Sequence, residues 1–135
     1  VLLTVLAVYG AIFFLQWRAA RQRAFFEQNG EKCRKGEVSA CDSLRSACRK
    51  RSGDACVTLA DAHLVPGPAH DPREALRLLE EGCEYHQASA CARAGTTYAE
   101  GRDVPRDPAR AKDLLGRACA LGDSVACTAK TEVGP

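Results

Sequence analysis

The sequence predicts an all-α protein, an α/α solenoid of antiparallel helix pairs carrying one N-terminal transmembrane helix. Three observations lead there. The first 17 residues, VLLTVLAVYGAIFFLQW, contain no charge; eight cysteines fall into four C-x7-C pairs; and the stretches between pairs show helical spacing of apolar residues, twice opened by Asp-Pro. A chain of 135 residues has room for one domain beside that first segment.

The apolar run comes first. As a helix, 17 residues reach about 25 Å against a hydrocarbon core of about 30 Å. Arg18 can snorkel and Trp17 suits the interface. RAARQR follows, where a cleaved signal peptide would show a small-residue processing site. The expectation is an uncleaved anchor over 1–17 and a juxtamembrane helix or linker over 18–32. The chain holds no methionine, as expected if its natural start lies upstream.

The net charge of +2 hides an asymmetry, because the first 23 residues carry three arginines and no acid. The remainder, near neutral, presents no basic surface for nucleic acid. Eight cysteines, all beyond the apolar run, approach the density at which small exported domains replace core with disulfides.

From Cys33 the pairs are Cys33 and Cys41, Cys48 and Cys56, Cys83 and Cys91, and Cys119 and Cys127, with Ala40, Ala55, Ala90 and Ala126 before each second member. The step from Cys83 to Cys119 is 36 residues and that from Cys48 to Cys83 is 35, the period of a helix-turn-helix array. Asp71-Pro72-Arg73-Glu74 supplies an N-cap, a proline at the first helical position and a capping-box glutamate. Leu76, Leu79 and Cys83 then share a face. Asp107-Pro108 opens the equivalent helix, with Ala111, Leu114, Leu115 and Ala118 as its stripe. Cys91, Ala94, Gly95 and Tyr98 make the stripe of the helix between them. VPGPAHDP and GRDVPRDP are the longer connections.

The motif Gly95-x-x-Tyr98-x-x-Gly101-x-x-Val104-x-x-Asp107-x-x-x-Ala111, continuing to Ala118, Gly122 and Ala126, resembles the Sel-like repeat family, relatives of the tetratricopeptide repeat. With its cysteine pairs the chain is similar to the exported, cysteine-rich bacterial branch. The resemblance covers about Cys33 to Lys130; one unit earlier, His63 holds the tyrosine position. It implies a stapled solenoid over 33–132. Some members of that branch are described as penicillin-binding proteins or weak β-lactamases, so the resemblance also implies a hydrolase alternative.

A cysteine in the last turn of one helix and another in the first turn of its antiparallel successor lie side by side. Pairing in chain order is therefore expected, stapling an array too short to stand by stacking alone. Cys33 and Cys48 are only 15 residues apart, so the first unit is a shortened cap, with one helix of Val38 to Lys50 bridged backward through Cys41 and forward through Cys48. Zinc sites space cysteines two to four residues apart, which none of these are. Buried thiols are the alternative if Arg18, Arg21 and Arg23 hold the domain in the cytoplasm; the regular cysteines favour a periplasmic domain on the bacterial inner membrane.

No catalytic residue, metal ligand or cofactor is assigned. Ser46-Ala47-Cys48-Arg49 stops short of S-x-x-K, and Lys130-Thr131 is followed by Glu132 where K-T-G would need glycine. His63, His70 and His86 have no metal-binding spacing. The favoured reading is a binding module for a protein or peptide, or for a peptidoglycan fragment. Its expected ligand face is Thr58, Asp61, Arg93, Thr96 and Thr97, opposite the buried stripes of the first helices of the hairpins.

Overall fold

The structure, a computed structural model, describes residues 2–134; Val1, where the expected anchor begins, and Pro135 lie outside them. Among the described residues there are seven helices and no strand: α1 (Leu2–Arg34), α2 (Val38–Arg49), α3 (Gly53–Leu64), α4 (Pro72–Glu84), α5 (Ala88–Glu100), α6 (Pro108–Ala120) and α7 (Ser124–Glu132). Consecutive helices pack side by side, and α3 also touches α1 and α5. Odd-numbered helices thus form one row and even-numbered helices the other, as in a solenoid.

Local chemistry sets the helix ends. Asp71 and Asp107 accept hydrogen bonds from the backbone N–H groups of Glu74 and Arg110, each with proline next in sequence. Ser52 and Asp123 cap α3 and α7 in the same way. Two short connections open the array, and long and short ones alternate after them. The short ones, 35–37, 50–52, 85–87 and 121–123, are each closed by a disulfide: Cys33–Cys41, Cys48–Cys56, Cys83–Cys91 and Cys119–Cys127, with Cα separations of 4.6–4.8 Å.

All four short turns share one backbone conformation. Their middle residues, Gly36, Arg51, His86 and Gly122, have φ of 89°, 66°, 61° and 97°. Glycine meets this requirement without steric cost, whereas Arg51 and His86 crowd Cβ against the following carbonyl. The alanines before each second cysteine are buried. Ala90 lies so close to Gly82 that a Cβ added there would stand 3.0 Å from its own, so the small side chain lets the antiparallel helices approach.

The core runs continuously from Cys33 to Ala126 and is built of leucine, alanine and cystine. Between successive even-row helices the contact is electrostatic, and its sign reverses along the array. Glu80 of α4 accepts a hydrogen bond from the Tyr98 hydroxyl at 2.9 Å and pairs with Arg110 of α6 at 2.6 Å, with Arg110 also lying 4.8 Å from the Tyr98 ring centre. One unit earlier the equivalent positions are Arg45 of α2 and Glu74 of α4, paired at 2.5 Å. His63 stands where Tyr98 stands later. It is buried, with Nδ1 2.5 Å from the Ala69 carbonyl oxygen and Nε2 without a partner.

Residues 18–32 are helical and continuous with the apolar segment, so α1 is a single rod of 33 residues, about 50 Å long. Leu2, Leu3, Phe13 and Trp17 on its first half are exposed, and the helix is long and apolar enough to cross a membrane. Its last turns are docked: Gly30 and Cys33 are buried and Phe26 packs against the core.

Candidate functional site

The docking of α1 creates a concave surface with two adjoining halves. Phe26, Gly30 and Cys33 recur at i, i+4 and i+7 and turn one stripe of α1 toward α2 and α3. At Gly30 the approach is closest, since a Cβ there would lie 2.9 Å from the Thr58 methyl. On either side of this contact the helices diverge and leave an open groove. One half, about 520 Å³, is lined by α1 from Ala19 to Glu27, by Asp54, Val57 and Thr58 of α3, and by Gln87 and Ser89 at the start of α5. The other, about 550 Å³, lies between Phe26–Arg34 of α1 and Thr58–Val65, with Arg93 of α5 at its rim.

Of the five residues expected on a ligand face, the structure brings three together. Thr58, Asp61 and Arg93 line the groove, and Asp61 and Arg93 form an ion pair that ties α3 to α5. Thr96 instead lines a separate cavity of about 220 Å³ with Arg106, Ala129 and Val133. Thr97, half-buried, lines neither half of the groove. The three threonine hydroxyls donate to backbone carbonyls four residues earlier in their own helices, at 2.8–3.0 Å.

Residues the sequence reading passed over complete the walls. Phe26 and Glu27 line both halves of the groove. Among the described residues Glu27 has no hydrogen bond or ion pair, unlike Glu31, which is held by Arg34 and Lys35. Across the groove, Asp54 accepts from the Gln87 side chain at 2.8 Å, a second α3–α5 tie. The Phe26, Gly30, Cys33 stripe could have revealed this wall. Phe26 and Gly30 fall within 18–32, expected as a juxtamembrane helix or linker, because the apolar run before them dominates the segment.

Ionisation elsewhere follows the ion pairs. Hydrogen bonding to Arg77, with Arg45 behind it, holds the Glu74 carboxyl down at about 2 against the cost of its partial burial. Burial and the hydrogen bond to Glu80 push the Tyr98 hydroxyl up. Glu74 belongs to α4, and Tyr98 reaches from α5 to Glu80 of the same helix. Among the described residues no cluster of His, Cys, Asp and Glu is arranged to hold a metal ion, and every cysteine is in a disulfide.

Comparison with known families matches the Sel1 repeat at residues 54–84 and 88–123. The first match runs from the start of α3 to the end of α4, and the second from α5 to the turn before α7. No curated protein and no solved structure matches the chain. Sel1 repeats generally mediate protein–protein interaction. Two matched repeats, the helix-pair packing and a disulfide at every short turn make the chain a member of the Sel1 repeat family.

Proposed function

We propose that this is a membrane-anchored protein-interaction module, held by residues 1–17 with its stapled domain on the extracytoplasmic side, and that its groove captures an extended peptide segment. Four disulfides support the location, because they persist in oxidising compartments. The observation that carries the ligand class is Glu27, an unpaired carboxylate between the two halves of the groove, flanked by Phe26, Val57 and the Thr58 methyl. A carboxylate beside apolar surface suits a lysine or arginine side chain, whose stem packs while its head pairs. Asp61 and Arg93 hold the far rim in place, and Thr58 forms the floor. A peptidoglycan fragment with free ammonium groups would meet the same chemistry and serves as competitor in the test.

Two fluorescent hexapeptides, identical except for lysine or glutamate at the centre, are titrated against the full chain in micelles. The lysine peptide is expected to bind about tenfold more tightly, equivalent to about 1.4 kcal/mol, and to lose that margin on Glu27→Gln. Equal affinity for both peptides would remove the reading.

A further inference from the structure

We propose that the edge formed by the α2–α3 and α4–α5 turns is a docking surface for the anionic lipid headgroups of the bilayer that α1 crosses. The inference rests on the anchor reading above and adds a second attachment to the same membrane.

The geometry comes from the direction of α1. Its residues Ala19–Glu27 share one half of the groove with Asp54–Thr58, and its residues Gly30–Arg34 share the other with Asp61–Val65, so α1 and α3 run parallel. The apolar half of α1 therefore projects past the N-terminal ends of α3 and α5. The Gly30–Thr58 contact puts Gly53, the first residue of α3, level with about Phe25, eight residues beyond Trp17 and about 12 Å along the axis. A bilayer enclosing the segment up to Trp17 thus holds its headgroups about one Debye length from the turns 50–52 and 85–87, within reach of long basic side chains and on the same side as the groove mouth.

The charge on that edge fits such a surface. Arg49, Lys50 and Arg51 are consecutive and exposed; Arg18, Arg21 and Arg23 of α1 are exposed too, and Arg23 lines the same groove half as Asp54 at the start of α3. Among the described residues none of the six is in an ion pair; Arg21 lies over Trp17 at 4.8 Å and Arg51 over Tyr85 at 5.6 Å. Of the nearby acids, Glu84 pairs with Arg117 and Asp54 accepts from Gln87, while Glu27 lies in the groove one turn beyond Arg23, so the six cations outnumber the acids beside them. At the opposite edge Lys32, Arg34, Lys35 and Arg102 are each paired with a glutamate, and the two cations there without an ion pair among the described residues, Arg73 and Arg106, are separated along the chain instead of consecutive. Arg51 also occupies a left-handed position that two sister turns fill with glycine, so the cation is kept at a conformational cost.

Each basic side chain near an anionic membrane favours the docked state by about fivefold, the factor equivalent to about 1 kcal/mol. Lysine acylation reads this without a new label. The full chain is reconstituted into vesicles of phosphatidylcholine alone or with about a third phosphatidylglycerol, a content that sets a surface potential reaching about one Debye length. Quenching of Trp17, the single tryptophan, by brominated lipid reports whether α1 is inserted. On the anionic vesicles Lys50 is expected to react about tenfold more slowly than on neutral ones, while Lys35 and Lys112 stay within about twofold. High salt should abolish the difference. Arg49→Gln/Arg51→Gly removes two cations and should weaken docking by about 25-fold, restoring Lys50 reactivity while relieving the strained turn. If Trp17 is quenched and Lys50 reacts equally on both vesicles, the docking edge is wrong and the anchor stands. If Trp17 is not quenched, both fall.

Discussion

Replacing the Cys83–Cys91 bridge by two alanines is the most direct test of what holds this array together. Each of the four bridges joins cysteines eight residues apart and closes an equally short loop. A loop of about nine residues removes about 2.6 kcal/mol of chain entropy from the unfolded state, and that term is common to all four. Native packing is what differs. Cys83 and Cys91 are both 0 % exposed, whereas Cys119 and Cys127 are only partly buried. Losing two fully buried sulfurs adds about 1 kcal/mol each, so Cys83→Ala/Cys91→Ala should cost about 4–5 kcal/mol. Cys119→Ala/Cys127→Ala should cost about 3 kcal/mol, with little beyond the entropy term. Urea unfolding of the full chain in micelles, followed by far-ultraviolet circular dichroism with the other bridges intact, measures both. A loss below about 1 kcal/mol for the inner pair would refute loop closure as the source of stability. A larger loss for the outer pair than for the inner would refute the packing half of the argument.

Other predictions concern single contacts. A Cβ at Gly95 would sit 2.8 Å from Leu115 Cγ and 3.1 Å from the Leu115 nitrogen, so Gly95→Ala should destabilise by about 1–2 kcal/mol in thermal melts, despite the helix-propensity gain of about 1 kcal/mol. Arg51→Gly and His86→Gly should each stabilise by about 0.5–1 kcal/mol by relieving left-handed residues; unchanged or lower melting temperatures would contradict the shared turn conformation. The Glu74 carboxyl is held at about 2, below the usual 4.5, so its contribution is fully present above pH 4.5 and is lost as pH falls toward 2. Discounted for the exposure of its arginine partners, it amounts to about 1–2 kcal/mol. Acid titration of Glu74→Gln should lack that loss of stability between pH 4.5 and 2, and an identical acid profile would count against the ion pair.

Much of this architecture was legible without coordinates, because it is written in local chemistry. Apolar stripes, Asp-Pro caps and the spacing of the cysteines are short-range signals, and each is satisfied within one helix or across one turn. The stripe Ala111, Leu114, Leu115 and Ala118 is buried as its spacing requires, and Asp71 and Asp107 cap the helices they open. A position 35 or 36 residues on could be compared with its predecessor, which is how His63 was matched to Tyr98.

The groove was not legible in that way. Its walls come from α1, α3 and α5, and residues such as Glu27 and Asp54 come together only through the angle at which one helix crosses another. Sequence patterns specify which face of a helix is apolar; the crossing is decided by which side chains are small at the contact, here Gly30 against the Thr58 methyl. For the same reason the sequence showed basic residues at Arg18–Arg23 and again at Arg49–Arg51 but could not say how α1 lies against the start of α3. Residue order determined the rods, their caps and their staples. Tertiary packing decided which charges stayed unpaired and where they face, because pairing depends on side-chain distance across helices rather than on separation along the chain.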